Sequence, residues 1–292
     1  MCGIVGLFLK TPELEPQIGR LTSEMLEILT DRGPDSAGFA VYGHQRPDRM
    51  KFTLRGGDFA TLPALIGGGA EIEIRDDHAL LTVAASEEAA VRAILREKSP
   101  ATKIVGVGDR MELYKGVGRP REVSARFGLP GMSGTHAIGH TRMATESAVT
   151  TAGAHPFSTG RDQCLVHNGS LSNHNNVRRN LVREGQTFET ANDSEVAAGY
   201  LSWRMAQGAP LEEALHGAMA DLDGFYTFVV GTASGFGVLR DPVACKPAVM
   251  AETDSYVAFG SEFRALTKLP GIDSAHIFEP EPSRVYVWER AA

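Results

Sequence analysis

An α+β fold, with sheets layered against grouped helices, is what this sequence predicts. Three observations carry the prediction. Apolar strand-like runs cluster in an opening block and a closing block. Helical patterns are grouped together between residues 171 and 222. A segment of different character, 44–132, separates the opening block from the rest.

The elements follow in order. Residues 4–9 (IVGLFL) suit a strand buried on both faces. Residues 16–30 predict a helix, because Ile18, Leu21, Met25, Leu26 and Leu29 fall on one stripe. The turn Arg32-Gly33-Pro34-Asp35-Ser36 ends it, and a strand leaves over 38–42. Within 44–132, strands are expected at 51–54, 79–84, 103–107 and 111–115, with helical stretches at 59–66 and 87–98. The run Gly67-Gly68-Gly69 marks a connector. Two βαβ-like units of this kind make a small α+β lobe, inserted into a domain that spans 1–292. The main pattern resumes with strands at 137–140, 163–167, 226–232, 235–240, 249–252 and 256–260, and helices at 171–184, 194–207 and 211–222. Residues 284–289 alternate as a closing strand.

Composition narrows the function classes. Apolar content of 42% and charged content of 22% over 292 residues are ordinary for a globular protein with a real core. A net charge of −7 with no long basic run argues against nucleic acid as the main partner. No apolar stretch is long enough for a transmembrane helix, and no cationic region precedes 4–9, so the cytoplasm is the expected location. Three cysteines, Cys2, Cys164 and Cys245, give no disulfide framework, metal spacing or iron–sulfur ligand set. Cys164 and Cys245 lie at strand-like positions and read as core.

Cys2 is different. Removal of Met1 leaves one residue carrying both a thiol and a free α-amine. An amine with an intrinsic pKa of about 7.7–8 is well placed to manage protons for a thiol of about 8.5. An N-terminal residue with its own amine as base is a known route to an activated nucleophile. Downstream, a series of short patterns recurs in one order: RGPDSAG at 32–38, GHTRMAT at 139–145, AHPF at 154–157, HNG at 167–169, NDSE at 192–195, DGFYTF at 223–228, RDPVACKP at 240–247 and GSE at 260–262. Each has a bland alternative: HNG reads as a turn, and NDSE and GSE as helix caps.

Together with MCGIVG at 1–6, these motifs resemble the class II glutamine amidotransferases, amidases with an N-terminal nucleophile. The resemblance covers about 1–42 and 135–265 but not the insert. It implies a four-layer αββα sandwich of two mostly antiparallel sheets. It also implies roles. Cys2 would attack the amide carbon of a glutaminyl side chain and form a thioester, with its α-amine as base. Asn168 and the Gly169 N–H would form the oxyanion hole. Arg142 would grip the substrate α-carboxylate in a two-pronged bond, and Asp193 its α-ammonium. Arg32 would position the loop near Cys2, and Thr145 and His155 would line the pocket. Asn192, where many relatives carry Thr, and Met143 and Glu146, where relatives differ, are departures. The last two put the leaving amine in question.

Within that family the chain looks like the stand-alone GlxB-like subunits of N-methylglutamate synthase. That likeness implies cleavage of glutamine or γ-glutamylmethylamide, and passage of ammonia or methylamine to an FMN-binding synthase subunit and a glutamate-synthase-like β-helix subunit. FMN and any iron–sulfur cluster would belong to those partners, with no cofactor or metal in this chain. The amidase pattern ends near residue 265 with no acceptor domain after it, which also points to a separate partner. The alternatives are a free-standing γ-glutamyl amide hydrolase and a non-catalytic regulatory subunit of the same fold.

Overall fold

The computed structural model describes residues 2–46, 48–144 and 148–290. The opening block is β1 (Gly3–Leu9), α1 (Ile18–Ile28) and β2 (Ser36–Tyr42). Next come β3 (Arg49–Arg55), α2 (Leu62–Ile66), β4 (Glu71–Arg75), β5 (His78–Ala84), α3 (Glu88–Lys98) and β6 (Lys103–Gly108). They are followed by β7 (Met111–Val117), α4 (Pro120–Arg126), β8 (His136–Arg142), β9 (Phe157–Gly160) and β10 (Gln163–Leu171). Three helices follow, α5 (His174–Arg183), α6 (Asp193–Ala206) and α7 (Leu211–Asp221). The chain closes with β11 (Gly224–Gly231), β12 (Gly235–Arg240), β13 (Val249–Glu252), β14 (Tyr256–Gly260), β15 (His276–Phe278) and β16 (Arg284–Glu289).

The strands form a seven-stranded sheet in the order β15-β13-β14-β1-β8-β2-β7 and a five-stranded sheet in the order β16-β12-β11-β10-β9. Side-chain alternation along each strand explains the layering. On β1, Val5, Leu7 and Leu9 join Ile18, Leu21, Met25 and Leu26 of α1 in one core. The alternate residues Ile4 and Phe8 face the second sheet and pack with Val166, Val229 and Phe236. On β10, Leu165 and Leu171 turn the other way, into a third core with Val196, Leu201 and Leu215 of α6 and α7. Three cores between four layers make an αββα sandwich. Strands buried on both faces read as continuous apolar runs, as residues 4–9 do. Each fully buried aliphatic side chain contributes about 1.5–3 kcal/mol.

A third sheet, β4-β5-β3-β6, stands apart with its own core of Phe52, Leu54, Leu62, Leu81, Val91 and Leu95. Within the 44–132 segment, only residues 49–108 build this sheet. β7 instead pairs with β2 along its whole length, from Ser36↔Val117 to Tyr42↔Met111, and is the edge of the seven-stranded sheet. α4 packs its Val123 into the core beneath α1. The pairings within the lobe are all antiparallel, unlike the parallel strands of a βαβ unit. Asp162 joins the lobe to the sandwich: its N–H donates to the Val107 carbonyl of β6 at 2.8 Å, and its carboxylate accepts the N–H groups of Asp109, Arg110 and Met111 in the turn to β7 at 2.9–3.0 Å.

Candidate active site

Cys2 is half-buried at the start of β1, beside the end of β8, where Gly3 pairs with Thr141. Its Sγ lies 4.0 Å from the Met143 carbonyl. The Cys2 carbonyl is held from two directions. Arg32 Nε donates to it at 3.0 Å, and Asn168 Nδ2 donates at 3.3 Å from 166 residues away in sequence. Arg32 is buried, and its Nη1 also donates to Glu262 at 2.6 Å. Burial disfavours the charged form of Glu262, but the bonds from Arg32 and Arg264 outweigh it and hold the carboxyl below its ordinary value. Ser261, the residue before Glu262, accepts the Ile4 N–H at 2.9 Å and returns its own N–H to the Ile4 carbonyl. The GSE motif therefore clamps β1, and Glu262 is also the N-cap of the short 3-10 helix Phe263–Leu266 that follows.

Asn168 and Gly169 sit inside β10, not in a turn, because the strand runs on to Leu171 in register with β11. The helix expected from 171 starts at His174 instead. Gly169 has φ +146°, and a Cβ there would meet the Phe225 carbonyl oxygen at 2.0 Å, so no other residue fits without rearrangement. Arg142 ends β8 and is buried. Gly33 lets the 33–36 turn press against the Thr141–Arg142 peptide, where a Cβ would come within 2.4 Å. Asp35 of that turn accepts the Ala144 N–H at 2.8 Å, which fixes the chain just after Arg142.

Asn192 is the N-cap of α6, its side chain accepting the Ser194 N–H at 2.8 Å. Asp193 is thus the first helical residue. Its Oδ2 accepts the Leu171 N–H at 2.9 Å, which ties α6 to the end of β10. Below it lies a cluster of which the sequence singled out only His155. His155 Nε2 and His167 Nδ1 each lie 2.8 Å from the Ser194 hydroxyl, and His140 stacks on His155 at 4.0 Å. His140 Nε2 donates to the His167 carbonyl at 3.0 Å. Burial pushes the His140 imidazole down to about 3 and those of His155 and His167 below their ordinary value, so all three are neutral near pH 7. A neutral cluster beneath Asp193 leaves its carboxylate free to attract a cation from the pocket side.

The structure therefore brings Cys2, Arg32, Asn168 and Gly169 into one neighbourhood. Asp193 is linked to it through Leu171, the next-but-one residue after Gly169. His155 lies buried behind Asp193, bonded to Ser194. Thr145 and Glu146 lie outside the described residues. Met143 is exposed next to Cys2. Of the other cysteines, Cys164 is core, but Cys245 is exposed, because residues 241–248 form a loop after β12 rather than a strand. Among the described residues, no group of three or more His, Cys, Asp or Glu side chains could hold a metal ion, and no helix is long and apolar enough to cross a membrane.

Comparison with known proteins identifies the family and the fold. Residues 140–268 match the family model of the glutamine amidotransferase domain. The chain is 62% identical, over 99% of its length and 98% of the relative's, to the glutamine amidotransferase-like protein GlxB of Rhizobium meliloti (strain 1021). It is 33% identical to a putative glutamine amidotransferase of Methanothermobacter thermautotrophicus, over 99% of this chain and all of that one. Among solved structures, the glutamine phosphoribosylpyrophosphate amidotransferase of B. subtilis superposes on 99% of the chain with a TM-score of 0.64 at 19% identity. That likeness speaks for the fold; this chain spans about half the length of that enzyme, 47%.

Proposed function

Because the chain belongs to the glutamine amidotransferases, in the GlxB-like group of the class II, N-terminal-nucleophile type, we propose that it cleaves a γ-glutamyl amide through a thioester on Cys2. Removal of Met1 frees the Cys2 amine, which takes the thiol proton. The thiolate attacks the amide carbon, and negative charge develops on the former carbonyl oxygen. The Asn168 side chain and the Gly169 N–H stabilise that oxyanion; each such donor commonly accounts for about 10²–10³ in rate. The protonated amine then passes its proton to the departing nitrogen, and water releases glutamate from the thioester. Arg142 binds the α-carboxylate and Asp193 the α-ammonium. Arg32 and Glu262 position the Cys2 peptide, and His155 supports Asp193 through Ser194.

The observation that carries this reading is the Cys2 carbonyl held by both Arg32 and Asn168. It brings Cys2, whose thiol is half-buried, next to the HNG strand, which supports this reading. The donor is glutamine or γ-glutamylmethylamide, and the released ammonia or methylamine goes to a separate synthase of the N-methylglutamate synthase type. FMN and any iron–sulfur cluster reside on that synthase, in its FMN-binding and β-helix subunits. The exposed apolar side chains Met143 and Phe263, close to Cys2 and Glu262, suit a face that such a partner covers. Co-expression with candidate partners tests this. Coupled amine transfer should appear only in the complex. Full γ-glutamyl amide hydrolysis by the isolated chain, unchanged by any partner, would favour a free-standing hydrolase instead.

A further inference from the structure

A cleft of about 460 Å³ lies between the inserted lobe and the five-stranded sheet, a size suited to a small molecule. Five cations line it, Arg55, Arg92, Arg96, Lys103 and Lys115, against two carboxylates, Glu189 and Glu195. The protein as a whole has a net charge of −7, so this concentration of positive charge runs against its composition. The cations are also placed at a cost. Arg55 and Lys103 are directly opposite each other across β3 and β6. Arg92 and Arg96 are one turn apart on α3. Like charges in either relation destabilise the element that carries them. Glu88 offsets Arg92 with an ion pair at 2.9 Å, but the side chains of Arg55, Arg96 and Lys103 have no hydrogen-bond or ion-pair partner among the described residues.

The two carboxylates offset only part of this charge, and one of them is engaged elsewhere. Glu195 is taken up by the loop before α6: it accepts the N–H groups of Glu189 and Thr190 at 2.8 Å and the Thr190 hydroxyl at 2.6 Å. Lys115 is buried at the floor. Its ammonium donates to the carbonyls of Ala154 at 2.8 Å, Pro156 at 3.1 Å and Ala152 at 3.4 Å. Those three bonds use all its donors, so it offers a ligand its field rather than a contact. The segment it holds carries His155 and also Gly153, where a Cβ would lie 3.6 Å from Arg142 Nη1.

We propose that this cleft binds a small polyanion, a di- or tricarboxylate or a phosphorylated metabolite, and that its occupancy is felt at the Cys2 site through Lys115 and residues 152–156. Arg55, Arg96 and Lys103 supply the contacts. A cleft with walls of one sign concentrates counter-charge from solvent. Burial pushes the Lys115 ammonium down to about 7, Glu195 and Glu189 pulling it up and Arg55 pushing it down. A bound anion would favour the charged form and tighten its grip on the three carbonyls. The coupling half of this proposal rests on Arg142 and Asp193 gripping the substrate; the binding half does not.

The test is titration calorimetry of the full chain with citrate and, separately, inorganic pyrophosphate at physiological salt. One saturable site is expected for at least one probe, with Kd below about 1 mM. The preferred probe tells carboxylate from phosphate. Arg55→Gln combined with Lys103→Gln should weaken binding at least about tenfold. Arg121→Gln with Lys268→Gln, which removes the same charge elsewhere, should leave it unchanged. No saturation with either probe at about 10 mM, or equal weakening in both double variants, would overturn the site. For the coupling, a saturating probe should shift the KM for glutamine at least about twofold. The shift should vanish in Lys115→Met, or in Lys115→Gln if the methionine variant does not fold. An unchanged wild-type KM with the probe bound would overturn the coupling and leave the site standing.

Discussion

The sandwich and the inserted lobe handle polar groups in opposite ways. Between the layers of the sandwich, buried polar side chains at the site are tied to one another: Arg32 holds the Cys2 carbonyl and Glu262, and Ser194 joins His155 to His167. In the lobe, a single apolar core is covered by charges that face solvent or the cleft, several without partners. Burying a polar group costs free energy unless its bonds are made. The sandwich therefore fixes chemistry in place, whereas the lobe's apolar core can change without moving Cys2.

Breaking this contrast calls first for a change inside the sandwich. Asn168→Ala should lower kcat by about 10²–10³ while the melting temperature hardly moves; a drop below tenfold would remove Asn168 from the oxyanion site. In the lobe, Leu81→Ala should cost about 2–5 kcal/mol of local stability. Hydrogen exchange should then speed up in β3 and β5, with glutaminase kcat unchanged. Loss of kcat there would mean that the two regions are one energetic unit. Arg142→Lys should raise KM about tenfold with a smaller effect on kcat, because a forked guanidinium becomes a point charge; an unchanged KM removes the carboxylate role.

A further effect concerns pH. The buried imidazoles of His136, His140 and His155 titrate lower when folded than in the unfolded chain, where the ordinary value is about 6.5. Between these values the unfolded state binds more protons, so stability rises with pH and is lost as pH falls below about 6.5. Urea melts between pH 6.5 and 5, above the carboxylate range, should show this decline; a flat profile would mean that the cluster is already charged in the folded protein.

How legible all this is in the sequence depends on burial. β1, β2, β12, β13, β14 and β16 are readable because their side chains feed packed layers. β4 (EIEIR) is not, since its charges sit on a mostly exposed strand after a glycine run. α4 (PREVSAR) is a short helix with one strongly buried aliphatic, Val123, and β9 is a four-residue edge strand. The site divides in the same way. Cys2, Arg142, Asn168, Gly169 and Asp193 stand in recognisable motifs. His140, His167 and Ser194 stand in those same motifs, but their joint role arises only when β8, β10 and α6 meet, 27 residues apart at the nearest. Lys115 has no motif at all; its place is set by the carbonyls of a loop 37–41 residues away.

One measurement bears most directly on the central claim. The protein, alone and with its synthase partners, is treated with a γ-glutamyl electrophile, weighed intact and peptide-mapped. The account predicts one adduct, on Cys2 of chains that have lost Met1, blocked by glutamine and absent in Cys2→Ala. A fully active chain that retains Met1, or an adduct on another residue that tracks the loss of activity, would contradict it.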